Sequence, residues 1–179
     1  LSTESLHRSE AGLAKVMARL VEKGKLNVAA AKDIQGRIRR TSELTALANC
    51  DVVIEAIVES MEAKTKLFQT IESIVRPDCI LATNTSSLSV TGVASACTKP
   101  ERVIGLHFFN PAPLMPLVEV IPALQTNKDL GAFAMTQMAS WGKSPARAKD
   151  TPGFIVNRVA RPFYSEALRI LDEGIASVR

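Results

Sequence analysis

Apolar positions along the chain switch between the spacing of a helix face and short continuous runs. Over 11–26 they fall at Leu13, Val16, Met17, Leu20 and Val21, one face of a helix, and Gly24 supplies a stop. A second, more basic helix is predicted over 29–40, with Asn27 as its N-cap. The run 51–57 (Asp-Val-Val-Ile-Glu-Ala-Ile) is β-branched and apolar on both faces, as in a buried strand of a parallel sheet. A helix over 61–74 turns Leu67, Phe68, Ile71 and Ile74 inward. Arg76-Pro77-Asp78 is a turn before a second strand, 79–83. The polar loop Asn84-Thr85-Ser86-Ser87 leads into a short helix around 90–96, for which Thr85, Ser86 or Ser87 is an N-cap candidate. A third strand spans 102–109. Residues 110–116 hold three prolines and form a rigid loop that excludes helix. A fourth strand (117–121), a helix (128–141), an edge strand (144–149) and a helix over 154–171, kinked at Pro162, complete the series.

Strands alternating with helices predict an α/β fold, a mostly parallel sheet wound with helices on both faces. Ligands of such sheets lie beyond the carboxyl ends of the strands. The loops after Ile57, after Thr83 and around His107 all fall there. Composition adds limits. At 46% hydrophobic and 22% charged, the 179 residues suit a folded globular protein and exclude wholesale disorder. No apolar run approaches the ~18 residues of a membrane span. A net charge of +4 (22 basic, 18 acidic) is too mild and dispersed for nucleic acid, and suits an anionic small ligand. Cys50, Cys79 and Cys97 are odd in number and lack metal-like spacing, which points to a reducing, cytoplasmic compartment. The nine glycines are too scattered for any G-x-G-x-x-G or P-loop, so these residues hold no phosphate cradle.

The candidate chemistry gathers at one edge. His7 lies in a polar leader and reads as solvated, whereas His107 ends an apolar strand. It is either a core histidine satisfied by a carbonyl or a general base oriented by Glu119, the acid that interrupts the run 117–121. A lone buried acid there is costly without a partner, and the proline loop is able to fold one strand back on the other. Ser86 and Asn84 either hold a substrate oxygen or serve a helix cap. Glu55 or Glu59 suits a ribose hydroxyl, with a solvated loop end as the alternative. Asn157, just after Pro152 and Gly153, either reaches the same cleft or packs its helix.

Gly105-Leu-His-Phe-Phe-Asn-Pro-Ala-Pro113 followed by Met115-Pro-Leu-Val-Glu-Val-Ile121 resembles a signature of the L-3-hydroxyacyl-CoA dehydrogenases. So do residues 51–59, Thr83-Asn-Thr-Ser-Ser-Leu88 and Asp150-Thr-Pro-Gly-Phe-Ile-Val-Asn-Arg158. The segments match in order and spacing from about Asp51 to Asp172. Residues 151–168 are most similar to the bacterial 3-hydroxybutyryl-CoA and 3-hydroxyadipyl-CoA enzymes. The resemblance implies a Rossmann-like fold and oxidation of an (S)-3-hydroxyacyl-CoA to the 3-oxoacyl-CoA, with NAD taking the hydride, in fatty-acid or aromatic-acid breakdown. It implies His107 as the base, Glu119 as its orienting carboxylate, and Ser86 and Asn157 on the substrate oxygens. Glu59 and Lys64 match contacts to the nicotinamide ribose side, while Asn84, Ser86 and Asn110 line the nicotinamide pocket. Lys15 and Arg19 fall where the family meets the CoA phosphates.

Members of that family open with a strand, a glycine-rich turn, a helix and a second strand, none of which precedes Leu1. They close with an all-helical domain that forms a homodimer, of which this chain holds the start. The implied division is 1–150, a partial NAD-binding domain, and 151–179, the beginning of the helical one. The chain as given is therefore expected to bind NAD poorly, to turn over little, and to associate through its open sheet edges. A non-catalytic, crystallin-like protein or an acyl-CoA-binding module of the same fold is the competing reading. The joint presence of His107, Glu119, Ser86 and Asn157 favours the enzyme.

Overall fold

The computed structural model describes residues 3–178, in two compact units, Leu1–Ala46 and Leu47–Arg179. The division expected at residue 150 falls inside the second. The first unit is a helical hairpin of α1 (Thr3–Glu22) and α2 (Val28–Gly36), with Met17 and Ala31 buried. Asn27 caps α2 as expected, its Oδ1 accepting the Ala30 N–H at 2.7 Å. α1 starts well before the predicted 11, because its mostly exposed first stretch carries no apolar periodicity. His7 is thus exposed on a helix rather than in a leader, and α2 stops at Gly36, short of 40. Lys15 and Arg19 are exposed on α1.

The second unit is built on a five-stranded sheet in the order β1-β2-β3-β4-β5. The strands are β1 (Val52–Glu55), β2 (Ile80–Thr83), β3 (Val103–Phe108), β4 (Leu117–Pro122) and β5 (Ser144–Arg147). All pairs are parallel except β3 with β4, which the proline loop between them turns antiparallel. Helices α3 (Met61–Glu72) and α4 (Val90–Ala94) cover one face and α5 (Lys128–Ser140) the other. Strand alternation sorts the side chains. Val53, Leu81, Val103 and Ile121 meet Phe68, Ile71, Val90 and Val93 on the first face. Ala82, Ile104, Leu106, Val118 and Val120 meet Ala134 and Met138 on the second. The same period of two carries Glu55, Thr83, His107 and Glu119 onto the α3/α4 face at the loop edge.

Gly105 lets α4 lie close to β3. A Cβ there would stand 2.8 Å from Val90 Cγ2 and 3.0 Å from Ile121 Cβ. α4 is capped by Ser89, whose Oγ accepts the Gly92 N–H, and not by Thr85, Ser86 or Ser87, which have other work. β1 also differs from expectation. It pairs only with β2 among the described residues, and α5 packs on β4 and β5, so Ile54 is 37% exposed rather than buried. Helix α6 (Val156–Asp172) runs unbroken through Pro162. The architecture is Rossmann-like, with a short helical C-terminal part.

Candidate active site

β3 and β4 pair in a register that sets His107 directly opposite Glu119. Opposed residues of an antiparallel pair share a face with their Cβ atoms about 5 Å apart, so the two side chains meet without any special loop geometry. Glu119 is fully buried and His107 is 6% exposed. Glu119 Oε1 accepts the N–H groups of Ile155 (2.8 Å) and Val156 (2.9 Å) at the start of α6. Oε2 lies 2.7 Å from His107 Nδ1. A carboxylate already accepting two amides accepts a third N–H there, so Nδ1–H donates, and in the neutral imidazole the lone pair lies on Nε2. Nε2 has no partner among the described residues. Phe109 and Phe154 lie against the imidazole, with ring centroids 4.5 and 5.8 Å away. The histidine is held by a carboxylate, not by a backbone carbonyl.

The loop after β2 is organised by Glu59. Its Oε1 accepts from Thr85 Oγ1 (2.6 Å), from the Ser86 and Ser87 N–H groups (2.8 and 3.1 Å) and from both serine hydroxyls. Its Oε2 lies 3.3 Å from Lys64 Nζ. Lys64 is 1% exposed and also donates to Glu55 Oε1 at 2.7 Å and to Ile57 O. Glu55 is buried in turn and accepts the Thr83 hydroxyl at 2.8 Å. The ammonium therefore has its three protons engaged inside the protein. Glu59 fixes the Ser86 loop and Lys64 holds Glu59 from below, because the inward stripe of α3 carries Lys64 beneath the sheet edge. Glu55, set aside in favour of Glu59, is its buried counter-ion.

Burial alone would push the Glu59 carboxyl up. The Thr85 hydroxyl, the Ser86 N–H, Lys64 and the Ser87 hydroxyl outweigh it and hold the group down to about 2. A carboxyl held below its ordinary value of 4.5 stabilises the folded loop at neutral pH and loses that contribution as pH falls toward about 2. Wild type should therefore melt above Glu59→Gln at neutral pH, and the gap should close between about pH 4.5 and 2. A gap constant down to the lower pH would contradict the account.

Asn157, on α6, donates from Nδ2 to Ser86 O at 3.1 Å, which brings these two predicted residues together. Asn84 Oδ1 accepts the Phe108 N–H at 2.8 Å, which fixes the amide and leaves Nδ2 without a partner among the described residues. Asn110 is exposed on the proline loop, three residues after His107 in the chain. Lys143 holds that loop, donating to Ala112 O and Met115 O. Asp150 ties the segment before α6 to the start of α4, accepting from Ser89 Oγ and the Val90 and Thr91 N–H groups. Sequence reading assigned Lys143 and Asp150 no role. Lys15 and Arg19 belong to the first unit.

Residues 1–151 match the family described as 3-hydroxyacyl-CoA dehydrogenase, NAD binding domain, and residues 153–179 match its C-terminal domain. The chain belongs to the 3-hydroxyacyl-CoA dehydrogenase family. Among relatives of this chain, the 3-hydroxyadipyl-CoA dehydrogenase of Escherichia coli K12 is 45% identical over 99% of this chain and 37% of its own length. A probable 3-hydroxybutyryl-CoA dehydrogenase of Deinococcus radiodurans is 42% identical over 97% of this chain and 62% of its own. The crystal structure of (S)-3-hydroxybutyryl-CoA dehydrogenase from Ralstonia eutropha superposes with a TM-score of 0.95 at 39% identity, covering 98% of this chain and 62% of that one. The chain thus spans between about a third and two thirds of these relatives.

Proposed function

We propose that this chain carries the catalytic pair of an NAD-dependent (S)-3-hydroxyacyl-CoA dehydrogenase. The observation that carries the reading is the buried His107–Glu119 pair, with a free Nε2, at the loop edge of a sheet of this family. Nε2 takes the proton of the substrate's 3-hydroxyl, and the imidazolium so formed is stabilised by Glu119 at 2.7 Å. Ser86, held by Glu59 and by Asn157, presents its hydroxyl beside Asn157 to the substrate oxygens. The residues present fit the nicotinamide side of NAD. Asn84 offers its Nδ2 hydrogens, Asn110 is exposed on the proline loop that follows β3, and Glu59 with Lys64 shapes the loop under Ser86. NAD, when bound, accepts hydride from the carbon that bears the hydroxyl. The 179 residues contain no glycine-rich pyrophosphate turn, so the chain supplies the nicotinamide side.

Residues 1–150 then form the NAD-binding part and 151–179 open the helical part, with Lys15 and Arg19 of α1 directed to the CoA phosphates. Homodimerisation is supported by the open edge of β1 and by the exposed apolar side chains of α6, Phe163, Tyr164 and Leu168. A cytoplasmic setting is supported by the three free cysteines. No helix among the described residues is long and apolar enough to cross a membrane.

The test is the NADH absorbance band, followed with NAD and (S)-3-hydroxybutyryl-CoA. The 179-residue chain should be compared with the chain lengthened at both ends to the span of its relatives. Turnover by the lengthened chain, with little or none by the shorter, is the expected result. Two folded proteins without turnover would overturn the reading.

A further inference from the structure

Residues 153–156 join the sheet to α6, and their backbone is unusual. Gly153 has φ 76° and Phe154 has φ 45°, two consecutive residues in the left-handed region. Glycine accepts that region freely; a bulky aromatic residue does not and is held there only when its surroundings over-determine it. Phe154 is the one non-glycine residue with positive φ among the described residues. Its ring is 4% exposed, sits in the core of the α3/α4 face and lies against His107. Its N–H donates to Thr151 O, and Gly153 O accepts from Arg158 N–H in the first turn of α6. A Cβ on Gly153 would come to 3.2 Å from the Arg158 nitrogen.

The product of this turn is directional. Immediately after it, the N–H groups of Ile155 and Val156 converge on one oxygen of Glu119, at 2.8 and 2.9 Å. The α6 N-terminus has no side-chain cap of its own, and the β4 carboxylate takes that place. With Oε1 pinned by two backbone donors, the carboxylate plane is fixed and Oε2 is left facing Nδ1 of His107. The other end of the segment is tied down as well, by Asp150 on Ser89, Val90 and Thr91.

We propose that the left-handed turn Gly153–Phe154 is a positioning device for the His107–Glu119 pair, aiming two backbone N–H groups that set the carboxylate against the imidazole. Its consequence for turnover rests on the dehydrogenase reading; its consequence for the pair does not. Phe154→Gly and Phe154→Val separate the turn from the ring, because both delete the aromatic contact and only the β-branched residue opposes a positive φ.

The primary readout is the proton NMR signal of His107 Nδ1–H, which a short bond to a buried carboxylate shifts downfield and protects from exchange. The 179-residue chain labelled with ¹⁵N-histidine is used, and the only other histidine is removed by His7→Gln. Phe154→Gly is expected to keep the signal and Phe154→Val to lose it while remaining folded by circular dichroism. Should Phe154→Val fail to fold, Gly153→Ala takes its place with the same expectation. Equal behaviour of the Gly and Val variants, both keeping or both losing the signal, overturns the proposal.

In the lengthened chain, Phe154→Val should lower kcat by up to about a hundredfold with KM little changed, as misplacement of a reacting group does. Phe154→Gly should lose clearly less kcat than Phe154→Val, although neither keeps the ring. A lengthened wild type that shows the signal but no dehydrogenase activity refutes the functional reading and leaves the turn's role standing.

Discussion

Glu119→Gln should cost as much activity as His107→Gln, about a hundredfold to ten-thousandfold in kcat, although it changes a single atom and leaves the fold intact. The reason lies in which atoms face which. Ile155 and Val156 present two N–H donors to one side of residue 119, so a glutamine there turns its carbonyl oxygen toward them. Its amide group is then left facing Nδ1. Two donors cannot share that 2.7 Å contact, so the imidazole switches tautomer, Nδ1 becomes the acceptor and Nε2 carries the proton. A base whose lone pair is occupied takes no proton from the substrate. His107→Gln removes the base outright, and the double variant should be no worse than either single one, because the two residues act as a unit. Steady-state NADH formation by the lengthened chain checks this. Activity of Glu119→Gln within about tenfold of wild type would mean that the carboxylate does not set the tautomer.

Lys64→Met should destabilise the protein by about 3–5 kcal/mol, because it leaves the side chain of Glu55, 1% exposed, as an uncompensated buried charge. Removal of both charges is a different matter. In Glu55→Gln/Lys64→Met the glutamine oxygen still accepts from Ile57 N–H or the Thr83 hydroxyl, and no buried ion remains. The double variant should recover part of the loss, giving a coupling energy of about 1–3 kcal/mol in a double-mutant cycle followed by urea unfolding. Additive losses would show that the pair is not coupled. Glu59 feels Lys64 as well, at 3.3 Å, so loss of the lysine also loosens the clamp on Ser86.

Much of this site was legible because strand periodicity is strict. An apolar run broken by one acid, Leu117-Val-Glu-Val-Ile, and a histidine at the end of another run suffice to suggest a pair, and the register made them opposite. Lys64 could have been read the same way. It precedes Phe68 and Ile71 at helical spacing, on the stripe that α3 buries, so a charge there demanded a buried partner. The exposure of Ile54 was not legible. It depends on where β1 stands in the sheet and on how far α5 reaches, which no local pattern encodes. The left-handed turn at Phe154 was equally hidden, since an aromatic residue gives no sign of positive φ. Only the preceding Pro152-Gly153 hinted that the backbone bends there.

The support of the His107–Glu119 pair also has an order along the chain. His107 and Glu119 lie 12 residues apart on neighbouring strands, whereas the two amides that pin Glu119 come 36 and 37 residues after it. In a chain made from its N-terminus, both members of the pair leave the ribosome before those amides do. Until residue 156 has emerged, Glu119 has its histidine but not its anchor. The full set of contacts around the pair is available only once the chain beyond the last strand has been made.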